Sequence, residues 1–272
     1  RRAALLRLGS FATVLQPRSA ALAAPALFGA GAGGVAERLD LARLSKPGGG
    51  GSLAEVELPA WVEGEWEASV ALLSVTFPEG ERFVPAGALR DARAPAAEGG
   101  PGSTTAYRLR FVRGRGESVV PDRAYNTRSQ ANAVQGFEVV AAVQYDSANP
   151  SRETVQFATL GPDLRPLGSA KAELYLSDFR SETTKGGSAC AWRELTRQVM
   201  VAPGSVSATD YETVTQLTQR APSREEAEEE MVLDLRQRTA VFLNPQTDSA
   251  FFDVGYRAVA LYDYTGTLVK RV

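Results

Sequence analysis

Short runs of alternating apolar and polar residues recur from about residue 59 to the end of the chain, and turn residues separate them. Tyr107, Leu109 and Phe111 alternate with Arg108 and Arg110. That period of two sets one side of a strand against a core and the other towards water. Val139–Val143 is apolar at every position, which predicts a strand covered on both faces. The predicted strands are Trp66–Phe77, Ala106–Arg113, Glu117–Arg123, Phe137–Tyr145, Glu153–Leu160, Lys171–Ser177, Ala191–Val201, Asp210–Thr218, Met231–Leu243 and Tyr256–Lys270. Two short helices are predicted, Thr127–Val134 with Asn126 as N-cap and Ser249–Asp253 capped by Thr247 or Asp248. Arg113-Gly114-Arg115-Gly116 reads as a tight hairpin, and Tyr264–Thr267 as a kink or bulge in the last strand. The fold class is therefore all-β: an antiparallel β-barrel of about 8–10 strands with one or two short helices. A β-sandwich is the alternative. Closure into a barrel has the advantage of removing both edges of a long sheet. The scarcity of long helical patterns excludes a doubly wound or TIM-type α/β fold.

The first 58 residues lack this pattern. Residues 29–58 are Gly-rich, with Gly48–Gly51 as a flexible linker and Glu37–Leu44 as one or two turns of helix. Ordered structure is expected to begin near Pro59. Residues 1–28 read as a targeting segment: Arg1-Arg2, then an apolar stretch Ala3–Leu15 broken by Arg7, then the small-residue site Ala21-Leu22-Ala23. Paired arginines before a modest apolar region resemble a twin-arginine export signal. The stretch is too short and too polar to span a bilayer, so no transmembrane span is expected in the mature protein. An amphipathic surface helix is the alternative.

Composition narrows the chemistry. The 272 residues include no His and one Cys, Cys190. A Ser-His-Asp triad, an HExxH zinc site, an internal disulfide and Cys-rich metal motifs are all excluded. No cofactor, metal-ligand set or catalytic residue is predicted. The net charge of −2 hides an asymmetry: residues 1–46 hold seven basic and two acidic residues, the remainder 23 and 30. An acidic body behind a basic leader argues against nucleic acid as a partner. Glu225–Glu230, with five acids in six residues, reads as a solvated loop. Carboxylate pairs exist, for example Glu63, Glu65 and Glu67 or Asp253 and Asp263, and with Tyr they leave a hydrolase or isomerase as a third expectation.

The densest polar segment is Asp122–Ser129. One reading makes it a binding rim: Arg123 and Arg128 grip an anion beside Tyr125, while Asn126 and Thr127 add hydrogen bonds at a helix N-terminus. The other is structural, with Asn126 as a cap and Asp122 and the arginines as an ion-pair network. Gly64-Glu65-Trp66 opens the first predicted strand. This G-x-W resembles the triplet of lipocalin-like barrels, in which the Trp closes one end under a basic residue of the last strand; Lys270 and Arg271 are the candidates here. Trp66, Arg123, Tyr125, Asn126 and Arg128 are thus the candidate ligand-binding residues.

Five segments together carry a wider resemblance: Pro59–Trp66, Val119–Ser129, Tyr145–Pro150, Glu194–Val199 and Gln237–Gln246. They resemble an uncharacterised domain family shared by cyanobacteria and chloroplasts, and the resemblance runs from about residue 59 to 272. It implies a photosynthetic source. With the leader, it implies the chloroplast thylakoid lumen, or a cyanobacterial lumen or periplasm. It brings no known reaction or ligand. The Ala/Gly-rich stretch Ala86–Ser103 departs from that family and is expected to be a loop. The first expected function is a non-enzymatic lumenal barrel that associates with or assists photosynthetic membrane complexes. The second is a lipocalin-like carrier holding a lipid, pigment or other apolar small molecule inside the barrel.

Overall fold

The computed structural model describes residues 34–48, 54–84, 86–114, 118–160, 166–202, 204–220 and 231–271. The expected targeting segment, the hairpin tip at Arg115 and Gly116, and the acidic run Glu225–Glu230 lie outside them. Ten antiparallel strands form one sheet: β1 Gly64–Thr76, β2 Thr104–Arg113, β3 Val119–Pro121, β4 Val140–Tyr145, β5 Arg152–Leu160, β6 Pro166–Thr183, β7 Ala189–Ala202, β8 Ser205–Gln219, β9 Val232–Phe242 and β10 Ala258–Lys270. The order is β3-β2-β1-β10-β9-β8-β7-β6-β5-β4. Every neighbour is next in sequence except β1 and β10. This is an up-and-down barrel order, curled into a half-barrel, whose open seam falls between β3 and β4.

Helix α2, Arg123–Gln135, connects β3 to β4 across that seam. Beyond β3 the edge of β2 has no strand partner, and side chains of α2 take that place. The Arg110 N–H donates to Asn126 Oδ1 at 2.7 Å, and Asn126 Nδ2 donates to the Arg110 carbonyl at 3.0 Å. The Arg108 N–H donates to Ser129 Oγ at 2.9 Å. On the other side Asn132 Oδ1 accepts from the N–H groups of Val139 and Val140. The helix thus covers the free stretch of β2 and the start of β4, while Leu58 bridges β3 at Val119. The N-cap of α2 is Asp122, whose carboxylate accepts from the Tyr125 N–H at 3.2 Å, and not Asn126, which lies a turn further in. The helix starts a turn earlier than its spacing predicts because the β2 edge claims Asn126.

The interior is built from the alternation. Trp66, Val70 and Leu72 of β1 face inward with Phe111, Trp192, Leu217, Leu235, Tyr262 and Leu268. Trp66 is fully buried; its Nε1 donates to the Val62 carbonyl at 2.8 Å, and Lys270 Nζ sits 5.4 Å from the ring centroid, the arrangement expected of G-x-W. Gly64 has φ +127, and a Cβ there would meet Lys270 Cε at 3.0 Å, so glycine meets both a backbone and a packing demand.

Three elements differ from the sequence pattern. The expected bulge at Tyr264–Thr267 is absent, since Ser69–Leu72 pair in unbroken register with that stretch. Gly266 serves a close approach instead: a Cβ would lie 2.4 Å from the Ser69 carbonyl oxygen. The irregularity lies in β1, between Leu72 and Ser74. Strand β6 is far longer than Lys171–Ser177 because a second bulge, between Leu176 and Asp178, breaks the period of two and puts both Leu176 and Phe179 inside. Ala86–Ser103, expected as a loop, contains α1, Ala86–Arg93, with Ala88 buried.

The largest difference concerns the expected linker. Residues 34–48 lie against the outer face of β7–β10, burying Val35, Leu39 and Leu44 among Ala191, Val214, Leu195 and Phe242. Glu182 accepts from the N–H groups of Val35 and Ala36 at 2.9 and 2.8 Å, covering the start of a 3-10 turn at Ala36–Leu39. Arg38 pairs with the fully buried Glu212 at 2.5 Å, and Arg193 joins Glu212 to Asp178. Lys46 and Arg197 share Asp210. Arg236 and Arg238 use the same outer face to reach Asp40 and the Leu41 carbonyl. This segment has no period of two because it is a strap, with ion pairs and a few apolar anchors, and not a strand.

Candidate functional site

The half-barrel encloses a cavity of about 350 Å³. Inward residues of β7 line it from Trp192 to Gln198, six residue steps or about 20 Å at ~3.4 Å each, so it is a long, narrow slot. One part of its wall is apolar: Phe111, Trp192, Leu217, Leu235 and the ring of Tyr262. Trp192 and Phe111 meet edge to face at 6.4 Å. The rest of the lining on β7–β9 is rich in hydroxyls, Thr196, Thr209, Tyr211, Thr213, Thr215 and Thr239, with Thr215 directly beside Trp192. The strap covers the outer face of the first half of β7 and the second half of β8, so both faces of those stretches are buried. Helix α1 adds Gly87 and Ala88, and α2 adds Arg123, Asn126, Thr127 and Gln130.

A charged cluster lies at one part of the lining, where Arg123, Glu153 and Glu194 reach the cavity and Glu55 backs Arg123. Arg123 donates from Nε to Glu55 at 2.6 Å and from one terminal nitrogen to Glu55 at 2.5 Å and to Glu194 at 2.7 Å. The Tyr145 hydroxyl also donates to Glu55. The Arg123 guanidinium lies over the rings of Phe179 and Tyr145 at 5.2 and 5.9 Å. Burial alone would lower the pKa of Arg123, but the Glu194 and Glu55 carboxylates outweigh that and hold it further above its ordinary range. Glu153 is the exception. It is 2 % exposed and its Oε1 has no hydrogen-bond partner. Burial pushes its carboxyl up to about 7, against the lowering effects of Thr127 and Arg123. Near neutral pH it is therefore divided between acid and carboxylate. Burial also raises the Tyr211 phenol, helped by Glu153 and Glu194.

The five sequence candidates separate. Arg123 and Asn126 line the cavity. Trp66 lies in the core under Lys270 and does not line it. Tyr125 is outside, under the Arg110 guanidinium at 4.2 Å, and Arg128 is exposed. Arg123 and Arg128 therefore do not converge on an anion, and Arg123 is already held by two carboxylates. Asp122 pairs with Arg110 of β2 at 2.7 Å, while Arg123 of its own segment turns to Glu55 and Glu194. Sequence reasoning missed Glu55, Glu153 and Glu194. Glu153 sits at an inward position with Val155 and Phe157, and an acid in phase with apolar residues was the available signal.

Residues 50–272 match a family described as a domain of unknown function (DUF6816). The chain belongs to that family. No curated protein and no solved structure is detectably similar to it. The strap at residues 34–48 precedes the matched DUF6816 region yet packs on its barrel. Among the described residues no helix is long and apolar enough to cross a membrane. Cys190 is buried and its thiol is pushed up to about 12 by burial, which leaves it inert at neutral pH.

Proposed function

We propose that this DUF6816 protein is a carrier that binds one small amphipathic molecule in the slot of its half-barrel. The observation that supports this reading is the slot itself: about 350 Å³ lined by aromatic and aliphatic side chains together with hydroxyls and carboxylates. Small-molecule sites are concave and mostly apolar, with a few placed polar groups, and their volumes begin at about 300 Å³. The slot also favours a carrier over association with photosynthetic membrane complexes, because its binding surface lies inside the barrel. The leader and the segment resemblance support a thylakoid-lumen setting, which fractionation of thylakoids against stroma tests.

The experiment is native mass spectrometry of the purified protein together with titration of an apolar fluorescent dye. Wild type is expected to bind one equivalent, and the cavity-filling variant Thr213→Phe to stay folded and lose it. Equal dye binding by both proteins would place the ligand elsewhere, and no binding by wild type would end the carrier reading.

A further inference from the structure

The charged groups of the slot are unbalanced. Arg123 is one guanidinium among three carboxylates, Glu55, Glu194 and Glu153. Glu55 and Glu194 hold Arg123 between them, which leaves Glu153 without a cation of its own. The groups facing Glu153 are Arg123 and Thr127 from α2, Glu194 from β7, Tyr211 from β8 and Glu55 from the segment before β1. Thr127 hydrogen-bonds the carboxylate, and Oε1 stays unpaired at 2 % exposure on the cavity wall. Buried polar groups are almost always satisfied, so an unsatisfied one lining a cavity marks the position of an absent donor. An anionic head placed there would add a fourth negative charge. A cationic donor satisfies Oε1 and at the same time halves the net charge of −2 that the cluster carries with Glu153 ionised. The aromatic side of the slot, with Trp192, Phe111 and Tyr262, suits the apolar remainder of such a ligand.

We propose that the slot takes a ligand with a cationic, hydrogen-bond-donating head, a protonated amine on an apolar chain, with the head at Glu153 and the chain against Phe111, Trp192 and Leu217. This rests on the carrier reading and specifies its ligand class. It reverses the anion expected from the arginines of Asp122–Ser129.

The test compares three straight-chain probes that differ in their heads: decylamine, decanol and decanoate. Each is titrated into the full chain at about pH 8, where Glu153 is ionised, below its micelle-forming concentration. Binding is read from the fluorescence of Trp192, separated from Trp61 and Trp66 by the Trp192→Phe variant. Decylamine is expected to bind about tenfold tighter than decanol, and decanoate weakest. Glu153→Gln is expected to remove about tenfold of the amine's advantage. In wild type, lowering the pH to about 5.5 protonates Glu153 and narrows the same ratio without any substitution. Decanol or decanoate binding as tightly as decylamine would overturn the inference and leave the carrier reading standing. So would an amine preference that both Glu153→Gln and acid leave unchanged. Failure of all three probes to bind would overturn the carrier reading and the inference with it.

Discussion

Glu153 should make the folded protein less stable as pH rises through neutrality. Its carboxyl has a model-compound value of 4.5 and is pushed up to about 7 in the folded state, first by burial and then by Glu194 and Glu55. A raised acid binds more protons folded than unfolded. Its stabilising effect is complete below about pH 4.5 and is lost as pH rises through about 7. At ~1.4 kcal/mol per pKa unit, the loss approaches about 3 kcal/mol by pH 8. Glu153→Gln keeps the shape and hydrogen-bonding reach of the neutral acid and cannot ionise. The variant should lie within about 1 kcal/mol of wild type near pH 5 and exceed it by about 3 kcal/mol near pH 8, a midpoint shift of roughly 10 °C for a domain of this size. Glu173 does not interfere. Burial would raise it, but Lys171, Thr154 and Arg152 hold it down at about 2, so its contribution is lost only below about pH 4.5. The assay is urea unfolding at steps from about pH 5 to 9 with the slope checked for constancy. A constant offset between the two proteins across that range, or a wild type that gains stability towards alkaline pH relative to the variant, would refute the reasoning. A buried acid that costs stability at neutral pH is also the kind of group found at binding sites.

Arg123→Ala leaves the half-buried Glu55 and Glu194 without their cation and should cost about 2–4 kcal/mol in urea unfolding, whereas Arg128→Ala, at an exposed position, should change stability by less than about 0.5 kcal/mol. Gly266→Ala drives a Cβ to 2.4 Å from the Ser69 carbonyl and should lower stability by about 1–3 kcal/mol or more; a neutral result by calorimetry would mean that β1 and β10 can separate at no cost. A chain starting at residue 50, where the family match begins, loses the burial of Val35, Leu39 and Leu44 at about 1.5–3 kcal/mol each, and bares Glu212. Its unfolding midpoint should fall well below that of a chain starting at residue 34. Cys190 should react with a thiol reagent only in denaturant, and fast labelling of the folded protein would show that β7 opens near its start.

The period of two determined most of the architecture in advance. Each predicted strand reappears in the sheet, because half-buried strands write their two environments into alternate residues. Gly64-Glu65-Trp66 was legible for a similar reason: glycine, tryptophan and a basic final strand are local requirements of one packing arrangement. Where one chain segment satisfied another, the pattern was silent. The strap at residues 34–48 carries no periodicity, and its worth lies in Arg38 and Lys46 meeting Glu212 and Asp210 more than 160 positions away. Asn126 reads as a cap by its spacing and becomes a sheet-edge partner only because α2 bridges the seam beside β2. The slot was least legible of all. Arginines on Asp122–Ser129 suggested an anion, yet the charge that matters is the sum over α2, β5, β7 and the segment before β1, and only folding brings those together. Composition and alternation decided that this chain would be a sheet around an interior. Which side chains share that interior, and that one carboxylate oxygen there is left unsatisfied, depends on register and curvature, which no single strand encodes.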